Sequence, residues 1–300
     1  MKFLITIIRL LGKVYRNLPF QIPFVNRIYI VFWKHFGKFT PRQALAFELH
    51  ITDHCNLNCA SCAHFSSLSE PKFADMSTLE KDFSKISQLS ATTGGGVDNI
   101  NLLGGEPLLH PGLQEILVMT RKYFTATNIY LITNGILLLK QNDAFWDICA
   151  KNNIKIKISY YPVKLNYKEI KKVAKKHGVQ IFARSKMKKT VFFKYELDKT
   201  GKQNIKSSFK KCWQANMCSQ LYEGKIFPCP VIAYLHILNK YFNENFIVSD
   251  EDYIDIYSVN SISDILSFLC KPVPFCRYCT NECPKVNWEI SKKNISEWVR

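Results

Sequence analysis

From Ala46 to Ala183 the chain alternates two kinds of segment, and this alternation limits the folds open to it. Short runs rich in β-branched and aromatic residues (Ala46–Ile51, Asn99–Leu103, Asn128–Thr133, Ile154–Tyr160 and Val179–Ala183) are separated by longer runs with apolar residues at helical spacing. The helical runs are Ser77–Leu89, where Leu79, Phe83 and Ile86 share a face, then Leu113–Phe124, Ala144–Asn152 and Tyr167–His177. Strand, helix and strand repeated in this way form right-handed βαβ units around a parallel sheet. With Val191–Leu197 as a sixth strand, the expectation is an α/β fold curled into an open or partial barrel. Ligands of such sheets sit at the C-terminal ends of the strands, and each motif below falls at such an end.

The first motif is a run of cysteines. Of the 11 cysteines, all but Cys149 fall into two groups. Directly after the first strand comes Asp53-His54-Cys55-Asn56-Leu57-Asn58-Cys59-Ala60-Ser61-Cys62, a C-x3-C-x2-C spacing. Three thiolates on one tight loop can hold three irons of a [4Fe–4S] cluster and leave the fourth iron without a protein ligand. An open position suits a metal catalyst, whereas a structural zinc site is closed by a fourth ligand. His54 and His64 are at hand for that zinc alternative.

The second group is Cys212, Cys218, Cys229, Cys270, Cys276, Cys279 and Cys283. Two short apolar runs around Glu223-Gly224 read as a hairpin between Cys212 and Cys229, and a C-x2-C pair follows at Cys276 and Cys279. A metal centre is expected here too, iron–sulfur or zinc. A secreted disulfide scaffold fits poorly: Arg9 interrupts the apolar start and no small-residue cleavage site follows. A cytoplasmic protein with reduced cysteines is expected.

Leu103-Gly104-Gly105-Glu106-Pro107 ends the second strand, where glycines let the backbone approach a ligand and Glu106 offers an acceptor to an ammonium group. Thr133-Asn134-Gly135 ends the third strand, Ser159 the fourth, and Arg184 follows the fifth. Taken singly, each is also an ordinary turn, cap or salt-bridge residue.

C-x3-C-x2-C after a first strand, followed by Gly-Gly-Glu-Pro after the second, resembles the radical S-adenosylmethionine (radical SAM) family over roughly residues 44–200. The resemblance implies a partial (β/α)6 TIM-like barrel, with Cys55, Cys59 and Cys62 as ligands of a catalytic [4Fe–4S] cluster. It implies S-adenosylmethionine (AdoMet) bound near Gly104, Gly105, Glu106, Pro107, Asn134 and Ser159, and an electron donor such as flavodoxin or ferredoxin. Many members place an aromatic residue before the third cysteine; here Ser61 stands there, and Phe65 is the expected substitute. The pattern C-x11-G-x4-C at Cys212, Gly224 and Cys229, with C-x2-C later, resembles the SPASM or shortened twitch auxiliary-cluster domains. That implies a second [4Fe–4S] cluster on Cys212, Cys229, Cys276 and Cys279, with Cys218, Cys270 and Cys283 left over.

The net charge is +17, and such a field attracts anions. No acidic residue precedes Glu48. A helix over residues 3–16 would align Leu4, Ile7, Ile8, Leu11 and Tyr15 opposite Lys2, Arg9, Lys13 and Arg16, so it either caps the core or lies on an anionic membrane. Residues 185–211 carry nine lysines and read as a solvated connection, with phosphate binding the alternative. The expected organisation is a basic segment (1–40), a partial barrel (41–200) and an auxiliary-cluster domain (201–300). The resemblance directs the chemistry to a sugar, cyclitol or nucleotide-sugar; a peptide-modifying enzyme is the alternative within the family. A zinc-binding nucleic-acid module or a non-catalytic scaffold are the alternatives outside it, and no nucleic-acid partner is expected.

Overall fold

The structure, a computed structural model, describes residues 37–93, 96–183, 191–280 and 282–300. Five strands, β1 (Leu45–Thr52), β2 (Val97–Gly104), β3 (Asn128–Thr133), β4 (Ile154–Ile158) and β5 (Ile181–Ala183), lie side by side and parallel. Four helices connect them: α1 (Met76–Thr93), α2 (Leu113–Tyr123), α3 (Asp143–Lys151) and α4 (Tyr167–Lys176). Asn142 and Asn166 start the last two helices by accepting from the N–H groups of Phe145 and Glu169 at 3.0 and 3.1 Å.

The period of two along each strand divides its side chains between two faces. Phe47 and Leu49, Ile100 and Leu102, Ile129 and Leu131, and Ile154 and Ile156 are buried against Phe83, Ile116, Trp146 and Ile170 of the helices. The alternate residues, among them Glu48, Asn101, Tyr130 and Lys155, turn to the other face and are half-buried.

The eight-stranded sheet runs β5-β4-β3-β2-β1-β7-β8-β9. The expected hairpin is β7 (Gln220–Tyr222) and β8 (Lys225–Phe227), turned by Glu223 and Gly224 at φ 47° and 75°. It docks β7 parallel to β1, with β9 (Ile254–Asp255) beyond it. The run expected as a sixth strand is the strand β6 (Val191–Phe193), but it pairs antiparallel with β10 (Lys285–Asn287). A parallel neighbour to β5 needs a crossover of about a dozen residues, and the chain between Ala183 and Val191 is too short to make one.

The last third of the chain feeds two cores. Leu221, Ile226 and Ile256 join the barrel core with Ile262, Ile265, Leu266 and Leu269 of α8 (Ile262–Leu269). A second core gathers around Phe209 of α5 (Ile205–Lys211), Val231 of α6 (Pro230–Ala233), Leu238 of α7 (Leu235–Phe242), Phe275 and Trp298. Packing therefore continues across residue 200. The amphipathic N-terminal segment up to residue 36 and Arg184 lie outside the described residues. Among the described residues no helix is long and apolar enough to cross a membrane.

Candidate active site

The cysteine loop leaves the end of β1 and turns sharply at Asn58 and Ser61, whose φ angles are 47° and 54°. Leu57 and Cys59 pack with Phe192 of β6, and Cys55, Cys62, Tyr161 and Trp288 close around them. Burial raises Tyr161 well above the usual phenol range, and the negative field of Cys59, Cys62 and Cys55 adds to it, so the phenol stays neutral. Burial also pushes the Cys55 thiol up to about 11, although its sulfur accepts from the Leu57 N–H at 3.4 Å. An empty loop therefore carries a protonated Cys55, and a metal must displace that proton to bind.

Gly104-Gly105-Glu106 lies directly on this loop. The Gly105 N–H donates to the Thr52 carbonyl at 2.8 Å and the Glu106 N–H to the His54 carbonyl at 3.1 Å. A Cβ on Gly105 would stand 1.9 Å from the His54 oxygen, so only glycine permits this approach.

Glu106 is fully buried. Its carboxylate accepts from the Thr133 hydroxyl at 2.6 Å, the Asn134 N–H at 2.8 Å and the Leu108 N–H at 3.2 Å. It thus braces the end of β2 against the end of β3. Burial raises its pKa to about 7, against those three hydrogen bonds. The folded state binds this proton more tightly than the unfolded chain does. The associated stability is present below about pH 4.5 and is lost as pH rises through about 7, a change of about 3 kcal/mol. Denaturant titrations of the metal-free chain should show this loss, and Glu106→Gln should flatten it; an unchanged pH slope in the variant would assign the loss elsewhere.

Asn134 reaches back to the cysteine loop: its amide donates to Asn56 Oδ1 at 2.8 Å and stands 3.9 Å from Cys55 Sγ. Ser159 follows β4, its N–H donating to the Thr133 carbonyl at 2.8 Å. The strand-end residues expected from sequence are thus gathered on one rim. Phe65 is not available to stand in for the missing aromatic: it is 1 % exposed and belongs to the second core beside Trp298.

Sequence reasoning overlooked the strap that the end of the chain lays over the loop. The Ala60 N–H donates to the Glu289 carbonyl at 2.9 Å and the Ser291 N–H to the Asn58 carbonyl at 2.8 Å. The indole N–H of Trp288 points at Cys59 Sγ at 3.1 Å, and that of Trp298 at the Cys62 carbonyl at 2.9 Å. Tryptophans more than 200 positions away carried no signal of this contact. Hydrogen bonds to cluster sulfurs raise the reduction potential. Trp288→Phe, which keeps the ring and removes the donor, is expected to load iron normally and lower the potential by roughly 60 mV, a tenfold change in a one-electron equilibrium. An unchanged potential would show that the contact does not tune the site.

The second cysteine group also converges. Cys212 ends α5, Cys229 precedes Pro230, and Cys276 and Cys279 flank one turn. Burial raises the Cys229 and Cys279 thiols well above their usual range, and the charges of Cys212 and Cys276 raise both further. Cys212, Cys229, Cys279 and Cys283 line one cleft with Tyr195, so Cys283, left over in the sequence, stands at this site. Cys270 is buried and its thiol donates to the Ser267 carbonyl at 3.3 Å. His64, two residues after Cys62, meets His50 edge-on at 4.7 Å, and His50 stacks on Tyr234 at 3.7 Å.

Among the described residues, no three Cys, His, Asp or Glu side chains are grouped so as to hold a single metal ion. The donors themselves are cysteine thiols packed among apolar and aromatic side chains, Leu57, Phe192, Tyr161 and Trp288 at the first group, a donor set that fits an iron–sulfur cluster.

The Radical SAM superfamily profile matches residues 49–181. A GTP 3',8-cyclase of Alkaliphilus oremlandii (strain OhILAs) is 33% identical over 110 residues, which are 36% of this chain and 33% of that protein. A GTP 3',8-cyclase of Chlorobaculum tepidum is 37% identical over 98 residues, 32% of this chain and 28% of that protein. The chain thus spans about a third of the length of these curated relatives. A crystal structure of BtrN in complex with AdoMet and 2-DOIA aligns with a TM-score of 0.49 at 16% identity, covering 80% of this chain and 94% of that one.

Proposed function

From the match of residues 49–181 to the Radical SAM superfamily profile, we propose that the chain is a radical SAM enzyme acting on a phosphorylated sugar, cyclitol or nucleotide-sugar. The observation that carries this reading is the packing of Cys55, Cys59 and Cys62 with Leu57, Phe192, Tyr161 and Trp288, with the Glu106 N–H and the Asn134 amide bonded to the same loop. A [4Fe–4S] cluster held there would supply the electron for reductive cleavage of AdoMet to methionine and a 5'-deoxyadenosyl radical, the species that abstracts hydrogen from the substrate.

The chain's own residues hold and shield. Cys55, Cys59 and Cys62 would hold the catalytic cluster. The Gly104–Pro107 turn, Asn134 and Ser159 form the rim for AdoMet. Tyr161, Phe192 and the Trp288 strap exclude water from the sulfurs. Glu106 fixes the spacing of β2 and β3 under that rim. Cys212, Cys229, Cys276 and Cys279 would hold a second cluster in a SPASM- or twitch-like arrangement.

The two bacterial relatives are cyclases of GTP, a nucleotide, and the +17 charge suits a phosphorylated substrate; both support this class over a peptide. A flavodoxin or ferredoxin supplies the electrons, in the cytoplasm, and the basic N-terminal segment offers a contact with an anionic membrane. Anaerobic incubation of the reconstituted protein with AdoMet and dithionite should yield 5'-deoxyadenosine and methionine. Iron-loaded protein that leaves AdoMet intact would contradict the proposal.

A further inference from the structure

The sheet face turned away from helices α1–α4 carries a polar row in one register. Gln220 of β7 pairs with Glu48 of β1, Glu48 with Asn101 of β2, Asn101 with Tyr130 of β3, and Tyr130 with Lys155 of β4. Inward positions of a parallel barrel are ordinarily filled by branched apolar side chains. Here Glu48 accepts from the Gln220 amide at 2.7 Å and from the Asn101 amide at 3.2 Å. Lys155 Nζ donates to Asn128 Oδ1 at 2.7 Å, and Lys157 Nζ lies 3.2 Å from the centre of the Tyr130 ring.

Two features mark this row as built for a ligand. Asn101 Oδ1 is buried and has no hydrogen-bond partner, an arrangement that costs free energy unless a donor is supplied. Burial lowers the pKa of Lys157, and the neighbouring charge of Lys155 lowers it further, against the pull of Glu48. Neither lysine has a carboxylate within ion-pair distance among the described residues. The one carboxylate of the row, Glu48, is raised by burial and already takes two amide donors. A solvated face would spread its lysines into water; these two fold back over Asn128 and Tyr130.

We propose that this face binds a phosphorylated polyhydroxylated small molecule, its phosphoryl group held by Lys155 and Lys157 and its hydroxyls by Glu48 and Asn101. The direction follows from register. Both lysines lean towards the N-terminal half of the strands, whereas the cysteine loop lies past their C-terminal ends. Asn101 is three residues from Gly104, about 10 Å along a strand, so the row and the loop lie within the span of one phosphorylated sugar. Tyr130 and Phe182, edge to face at 6.1 Å with Phe182 half-exposed, present ring surfaces beside the lysines. The orientation rests on the radical SAM reading of the cysteine loop; the binding itself does not.

The test is calorimetric titration of the full chain, purified anaerobically, with glucose 6-phosphate and GTP, and with glucose and guanosine as their unphosphorylated parents. At least one phosphorylated probe should bind at least about tenfold more tightly than its parent. Lys155→Met and Lys157→Met should each remove about tenfold or more of that affinity, as expected for a charge-assisted contact, and leave the parent's binding unchanged. Thermal melts of both variants check that they fold. A preference for glucose 6-phosphate identifies a sugar phosphate, and a preference for GTP a nucleotide; either supports the proposal. Phosphorylated probes that bind no better than their parents, or folded variants that bind like the natural chain, would overturn it. Iron content and AdoMet cleavage of the same samples separate the two readings: normal cleavage without phosphate-dependent binding sinks this site alone, and binding without cleavage sinks the reaction.

Discussion

Cys59→Ala is expected to abolish AdoMet cleavage while the barrel stays folded. The thiol is buried among Leu57, Phe192 and Trp288 at the floor of the loop, and without it two sulfurs remain to hold a cluster that needs three protein ligands. Iron should fall from about eight to about four per chain, since two cubane clusters become one. The fold should survive because the backbone of the loop is held independently, through Ala60 to Glu289 and Glu106 to His54. The complementary variant, Cys279→Ala, should lose the other half of the iron and keep AdoMet cleavage. Iron and 5'-deoxyadenosine assays on both proteins check the pair. Cleavage retained in Cys59→Ala would remove the loop from the chemistry.

Gly105→Ala should be nearly as damaging without removing any proposed cluster ligand. The added methyl would meet three backbone atoms, the His54 oxygen and carbon at 1.9 and 2.2 Å and the Cys55 nitrogen at 2.7 Å. No side-chain rotation relieves such a clash, so residues 54–55 must move and the hydrogen bonds from Gly105 and Glu106 must break. We expect a loss of about 3 kcal/mol or more in stability, together with failure to assemble the first cluster. Gly96→Ala is the control, because no described residue lies within 4 Å of its added methyl. Thermal melts and iron analysis check both, and normal iron loading in Gly105→Ala would show that the two loops do not need this contact.

The parallel core was readable because strand and helix periods differ and each β–α step is local. Ile154–Ile158 alternates Ile with Lys, and in the structure the isoleucines face the helices and the lysines face away. The cysteine loop and the Gly-Gly-Glu turn were readable because their chemistry is packed into a few adjacent residues. Contacts made by distant residues were not. Val191–Phe193 has strand composition, but composition does not name its partner, and β10 lies more than 90 residues on. Trp288 and Trp298 reach the cysteine loop only because the chain end returns across it. Phe65 sits three residues after Cys62, yet its positive φ turns it into the second core. Glu106 reads from the sequence as an acceptor for an ammonium group; that its carboxylate also bridges the ends of β2 and β3 is visible only in the structure.

The most direct test of the central claim is electron paramagnetic resonance of the dithionite-reduced protein, recorded in the Cys279→Ala background with and without AdoMet. A cluster with one open iron on Cys55, Cys59 and Cys62 should give a reduced [4Fe–4S] signal whose shape changes when AdoMet is added. A signal indifferent to AdoMet, or no cluster signal from protein that has bound zinc instead, would contradict it.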